Sequence, residues 1–284
     1  MSTRTRTAIP EHIMRGIDRL DPLPATAQQV VAMVHGDDMS IGRLAQLIEH
    51  DETIAAGVLR LGRSAAFAGR HAPETIQDAL MRIGTVHLLT LVLGDYMRRL
   101  RAAAPVYGLS EDDLWAHAAA SQLAVRAIAE ERGADVVPRI AETAALLHDI
   151  GKLVMTRTLK TTPDAIRAHA QAKGLTFVAA ERDLFGVDHA DVGGAIAEAW
   201  KFPPLVAEAI ARHHDDRPPA GPVFDAVAIA NVVAKSIGAG LGDEGMNFSF
   251  DAASAARLGL DFPALARICL RTEEELRELR RVAA

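Results

Sequence analysis

Apolar residues recur in this chain at helical spacing, segment after segment, and no stretch alternates as a half-buried strand would. Leu44, Leu47 and Ile48 share one face of a segment that Ser40 can cap, and Ile54, Val58 and Leu61 share the face of the next. Thr26 is positioned to cap an earlier helix ending at His35-Gly36. Thr75 opens a later one carrying Ile76, Leu80 and Ile83. Gly84 predicts a break or a close approach, after which Val86 to Leu93 is almost wholly apolar. Stripes of this kind are buried by packing helix on helix. Aromatics make up only 4% of the chain while Ala, Leu and Ile abound, which also favours close helix packing over sheet. The fold class read from the sequence is all-α.

With 284 residues the chain can form one large domain or two small ones. Its one cysteine, Cys269, excludes an intrachain disulfide and fits a reducing compartment. A net charge of -6 argues against a non-specific nucleic-acid binder. Two early arginines are followed by no long apolar stretch, so no secretory signal is read, and no run approaches the roughly 18 apolar residues of a membrane span. The expectation is a cytoplasmic protein with no membrane or nucleic-acid partner.

The chemistry gathers after residue 108. An alanine-rich apolar run, Ala141 to Leu147, ends in His148-Asp149-Ile150-Gly151-Lys152. Burying an ionised carboxylate is costly unless a cation or hydrogen bonds compensate it. An imidazole and a carboxylate on adjacent residues are a natural beginning of a divalent metal site. Other candidates follow the same order along the chain. His117 lies one helical turn after Asp113. His189 opens a helix in Asp188-His189-Ala190-Asp191, His213-His214 ends another, and Asn231 is a lone polar residue in an apolar helix. Imidazole and carboxylate donors suit Fe, Mn or Zn, and Asp149 could bridge two ions. Lys152 could neutralise a phosphoryl oxygen, or be a solvated helix-end lysine. His35, His50, His71 and His87 have no companion ligands at a telling interval and are read as surface or packing residues, and His169, mid-helix, is left out of the set.

The order His117, His148-Asp149, His189, His213-His214 resembles the HD phosphohydrolase superfamily. Leu23-Pro24-Ala25-Thr26, Val58-Leu59-Arg60-Leu61, Ser64-Ala65-Ala66-Phe67 and Ile76 to Gly84 are similar to its HDOD branch. So are Leu147 to Lys152 and His189-Ala190-Asp191-Val192-Gly193. The resemblance covers roughly residues 20 to 237. The related HD-GYP branch is less well matched, because Asp215-Asp216-Arg217-Pro218-Pro219-Ala220-Gly221-Pro222 contains no Gly-Tyr-Pro.

The resemblance implies a helical N-terminal lobe (21–107) packed on an HD-like lobe (108–238), preceded by an N-terminal tail (1–20) and followed by a linker and C-terminal helices (239–284). It also implies a bacterial signal-transduction or regulatory output module. Its metal-type pocket would comprise His117, His148, Asp149, His189, His213 and His214. The alternatives are a metal-dependent phosphohydrolase or phosphodiesterase acting on a cyclic nucleotide, with Lys152 assisting, and a nucleotide receptor using the same pocket. Two positions depart from active relatives. Asn231 stands where they place a terminal Asp ligand, and Asp113 where some carry Glu. An amide oxygen can bind a cation but adds no negative charge, so the departure weakens the half of the pocket containing His117 and His148. The expected partners are a signalling protein or a nucleotide, including a cyclic dinucleotide. Gly238 to Asn247 reads as a mobile linker, and Thr272 with Glu275 as a capping box. The terminal helices are expected to pack on the HD-like lobe or to mediate self-association.

Overall fold

The computed structural model describes residues 8–36, 39–67, 69, 71–99, 110–133, 135–158, 163–215, 219–240, 242 and 250–283. Among them there is no strand. Five helices come first: α1 (Glu11–Asp18), α2 (Ala25–His35), α3 (Ile41–Glu49), α4 (Glu52–Gly62) and α5 (Ile76–Arg99), with a 3-10 turn at Ala65–Phe67. Then come α6 (Glu111–Arg132), α7 (Ile140–Leu147), α8 (Ile150–Thr158), α9 (Pro163–Lys173) and α10 (Phe177–Phe185). The last are α11 (His189–Ala199), α12 (Pro204–Arg212), α13 (Pro222–Ser236), α14 (Ala252–Arg257) and α15 (Phe262–Ala283). The boundary expected between the two lobes, at residues 107 and 108, lies outside the described residues.

Local chemistry accounts for many of these boundaries. Ser40 Oγ accepts from Arg43 N, and Thr75 Oγ1 accepts from Asp78 N, as anticipated. Gly84 lies inside α5 with φ 75° and ψ 174°, so α5 is two helices joined at a glycine. Contrary to the expectation that no run approaches a membrane span, the segment Ile76–Met97 has the length and apolarity of one, with 61% of its most apolar window buried in the fold. Two expectations need correction. Pro24, not Thr26, stands at the N-cap of α2, where its fixed φ suits the turn into the helix. Thr272 caps nothing: α15 runs unbroken through it, and its buried hydroxyl donates to the carbonyl of Ile268. No Gly or Pro separates the two expected helices there, and back-bonding to the preceding turn satisfies the threonine.

Helices α2 to α5 pack among themselves, while α6, α7, α8, α11, α12 and α13 form a second group. The two meet where α5 contacts α6 and α7, and His35 Nε2 lies 2.8 Å from Thr143 Oγ1. Helix α1 rests on α8 and α11. Helix α15 lies along α6 and also reaches α4 and the 3-10 turn, so it straps the two groups together. Close approach is set by glycines. A Cβ on Gly151 would lie 1.9 Å from the carbonyl oxygen of His189, and one on Gly194 would lie 2.6 Å from Ala211 Cβ. Gly151 therefore sits within the first turn of α8 and lets α11 pass against it.

Candidate metal centre

Six of the side chains singled out above converge among α6, α7, α8, α11 and α12. His117 points in from α6, His148-Asp149 occupy the turn between α7 and α8, His189 begins α11, and His213-His214 follow α12. The atoms with which they could hold a metal form two overlapping groups, His117–His148–Asp149 and Asp149–His189–His213–His214, each spanning no more than 4.8 Å. Asp149 belongs to both, and its two oxygens divide the work. Oδ2 lies 3.6 Å from His117 Nε2 and 3.5 Å from His148 Nε2. Oδ1 lies 3.3 Å from His189 Nε2 and 3.7 Å from His213 Nε2. The rings of His148 and His213 meet edge to face with centroids 4.9 Å apart, so the two groups form one pocket.

The far nitrogen of each ring decides what the near one can do. His117 Nδ1 donates to the carbonyl of Ala239 at 3.0 Å, His148 Nδ1 to that of Ala145 at 2.7 Å, and His213 Nδ1 to that of Ile210 at 2.7 Å. His189 Nδ1 donates to Glu181 Oε2 at 2.8 Å. Every one of these partners is an acceptor, so each Nδ1 carries the hydrogen; the neutral rings of His117, His148 and His213 turn an Nε2 lone pair into the pocket, and His189 Nε2 lies against Asp149 Oδ1. His117 Nε2 and His148 Nε2 then face each other at 3.2 Å. His213 Nε2 is buried with no hydrogen-bond partner among the described residues. Converging lone pairs around one carboxylate are repulsive until a cation sits among them. Imidazoles anchored by their second nitrogen are how proteins orient metal ligands. The donor set fits a divalent transition metal.

Burial keeps His117, His148, His213 and His214 neutral. It pushes His117 and His148 down to about 4, against the pull of Asp149, and His213 down to about 3, helped by His189. It also holds His214 well below its ordinary value, with His213 and His189 adding to the effect. For Asp149 burial acts upward, but His148, Lys152 and His189 reverse it and hold the carboxyl well below the ordinary range. At neutral pH the pocket presents the Asp149 carboxylate and the uncharged imidazoles of His117, His148, His213 and His214.

The other candidates are placed differently. Asp113 Oδ2 accepts from Ser110 N and Ser110 Oγ, completing a capping box at the start of α6; one helical turn before His117, its carboxylate serves the helix end. Asn231 is buried on α13, and its Oδ1 has no hydrogen-bond partner among the described residues. Lys152 is 4% exposed, and its Nζ lies 2.8 Å from Asp149 Oδ2, which corrects the reading of a solvated helix-end lysine. Gly238-Ala239-Gly240 is no loose connection: Ala239 is buried, and its carbonyl holds His117. Residues 241 and 243–249 lie outside the described residues. His35, His50, His87 and His169 bond to Thr143, Gln46, Ile83 and Asp183 respectively, away from the pocket.

Two participants escaped sequence reasoning. Glu181 is fully buried on α10 behind His189. It shares the apolar stripe of Phe177, Val178 and Ala180, and a carboxylate on such a face was the available signal. Lys235, one turn beyond Asn231 on α13, is buried and helps keep His214 uncharged.

The profile of the HDOD domain matches residues 20–216. The chain belongs to the HDOD family. Crystal structures of similar fold include an HDOD domain protein of unknown function from Geobacter sulfurreducens, with TM-score 0.72 and 21% identity, covering 96% of this chain and 95% of that one. A protein from Shewanella amazonensis SB2B named provisionally as a phosphohydrolase has TM-score 0.71 and 24% identity, covering 96% and 98%. A third, from Marinobacter aquaeolei VT8 and named provisionally as a signal transduction protein, has TM-score 0.72 and 20% identity, covering 96% and 65%. At these identities the likeness establishes the fold. A curated relative, an uncharacterized protein of Treponema pallidum (strain Nichols), is 24% identical over 245 residues. The match takes in 81% of this chain but only 45% of that relative's length.

Proposed function

We propose that this HDOD protein is a bacterial signalling module whose HD-like pocket holds a divalent metal as part of its regulatory structure rather than for turnover. The observation that carries this reading is the Lys152–Asp149 ion pair. The ammonium that could neutralise phosphoryl oxygens is engaged at 2.8 Å with the carboxylate at the centre of the ligand set. A buried pair of this kind is strongly destabilised by losing either partner, so Lys152 is poorly suited to leave Asp149 for a substrate. Asn231 supports the same reading, because the family resemblance implies an amide at the approximate position where active relatives place a terminal carboxylate. A bound metal would supply charge and rigidity, with His117, His148, Asp149, His189, His213 and His214 as the residues able to hold it. Through α6, which carries His117 and lies against both α5 and α15, the pocket has a mechanical connection to the N-terminal helices.

A metal-dependent phosphohydrolase acting on a cyclic dinucleotide is the second reading. It is favoured by the imidazole lone pairs gathered around one bridging carboxylate. Purified protein should be analysed for Fe, Mn and Zn by mass spectrometry and assayed with cyclic dinucleotides in the presence of Mn or Fe(II). Bound metal without turnover is the expected result. Turnover abolished by His148→Ala would establish the second reading, and absence of metal under all loading conditions would remove both.

A further inference from the structure

The two halves of the pocket are unequal. The Oδ1 side of Asp149 has four donors: the oxygen itself with His189, His213 and His214. The Oδ2 side has three, the oxygen with His117 and His148. Asp113, one turn before His117, is spent on the cap of α6. The support behind the rings is unequal too. His189 Nδ1 donates to the Glu181 carboxylate, whereas His117 and His148 donate to neutral carbonyls. An anionic partner raises the basicity of the imidazole it anchors.

Lys152 tips the balance further. It stands three residues after Asp149, in the first turn of α8, and its ammonium is against Oδ2. We propose that the pocket is built for a single divalent cation, held by Asp149 Oδ1, His189, His213 and His214, with the Lys152 ammonium taking the place of a second metal on the Oδ2 side. This rests on the reading that the pocket holds metal at all. An ion entering between His117 and His148 would have to displace Lys152 from Oδ2 and leave an ammonium buried beside a divalent charge, an arrangement with a large desolvation cost. Two divalent ions and a lysine would set five positive charges against Asp149 and Glu181. One ion and a lysine set three. A site of three imidazoles and one carboxylate oxygen is a complete tetrahedral set for Zn(II).

The test is metal stoichiometry and affinity on the full chain, by mass spectrometry and by Zn(II) titration against a chromophoric chelator. The wild type is expected to hold one tight equivalent. Lys152→Met should gain a second, while Lys152→Arg, which keeps the charge, should retain one. His213→Ala should weaken the tight equivalent by at least the ~10–100-fold typical of lost metal support, whereas His117→Ala should leave it within about threefold of wild type, well short of that loss. A Zn-edge anomalous map of crystals would place the ion by Oδ1. Two tight equivalents in the wild type, or an ion located between His117 and His148, would overturn the single-cation assignment while leaving the metal reading intact. No bound metal in the wild type would overturn both, and that measurement depends on no variant folding.

Discussion

Oε2 of Glu181 lies 2.8 Å from Nδ1 of His189, and neither side chain is exposed to solvent. The same oxygen accepts from the backbone N–H of His189 at 3.2 Å. One buried carboxylate thus fixes both the tautomer of His189 and the start of the helix that presents it. Among the four anchored imidazoles, His189 is the one held by an anion.

Replacing that anchor should separate metal affinity from folding. Glu181→Gln keeps an acceptor for Nδ1–H but removes the charge, and is expected to weaken metal binding by about 10–100-fold. Glu181→Ala removes the acceptor of both N–H groups and should also cost about 1–3 kcal/mol of stability for each lost bond. Chelator competition and urea denaturation measure the two effects. Equal metal affinity in Glu181→Gln and wild type would show that Glu181 does not act through His189.

The buried imidazoles make the metal-free protein sensitive to acid. His117 and His148 titrate at about 4 and His213 at about 3 in the fold, against 6.5 for an unperturbed histidine. Between those values the unfolded chain binds protons that the folded protein refuses. Stability is therefore full above about pH 6.5 and falls as the pH drops toward 4. Each pH unit per imidazole costs about 1.4 kcal/mol, so the combined loss is several kcal/mol. Denaturation midpoints of chelator-treated protein at several pH values between 4 and 7.5 would check this. A flat profile would mean that the rings are not held neutral by burial.

How much of this could be read beforehand differs from residue to residue. Ser40, Ser110, Thr75 and Gly186 mark helix ends through local hydrogen bonds and backbone preferences, and local rules identify them. His117, His148, Asp149, His189, His213 and His214 were legible because their types are rare in apolar helices and their order is that of a known superfamily. Glu181 was not, because its role depends on α10 packing against the start of α11, a contact that no spacing within α10 specifies. Lys152 was legible as a residue near the pocket but not as the partner of Asp149, since a three-residue separation permits that contact without requiring it. Thr272 shows the opposite failure. A capping-box pattern is satisfied equally well by a helix that continues, once its hydroxyl turns back to Ile268.

The crossing of α8 and α11 offers a steric test. A Cβ at Gly151 would lie 1.9 Å from the His189 carbonyl oxygen and 2.7 Å from Gly193 N, both backbone atoms that cannot turn aside. Gly151→Ala should push the two helices apart, cost about 1–3 kcal/mol from overpacking, and move His189 away from Asp149. Thermal denaturation and metal titration should both register the change. Unaltered metal affinity would mean that the pocket tolerates a displaced α11.

Glu142, on α7 six residues before His148, should shift stability with pH in the opposite direction. It is 7% exposed, and its Oε2 has no hydrogen-bond partner among the described residues. Burial raises its carboxyl to about 7 from an ordinary 4.5, with Arg126 and Arg139 opposing. Because the folded value lies above the unfolded one, the folded protein keeps a proton that the unfolded chain releases. The resulting stability is full below about pH 4.5 and is lost as the pH rises toward 7. Glu142 therefore offsets one of the histidine protons between pH 4.5 and 6.5. Glu142→Gln, which removes the titration at nearly constant volume, should stabilise the protein by about 1–3 kcal/mol at pH 7.5 and by much less at pH 4.5. The dependence of stability on pH across this window should become steeper by about one proton, or about 1.4 kcal/mol per pH unit. Unfolding free energies of the two proteins across this range measure both quantities. A variant less stable than wild type at pH 7.5, with an unchanged slope, would show that the Glu142 carboxylate is ionised and satisfied in the folded protein.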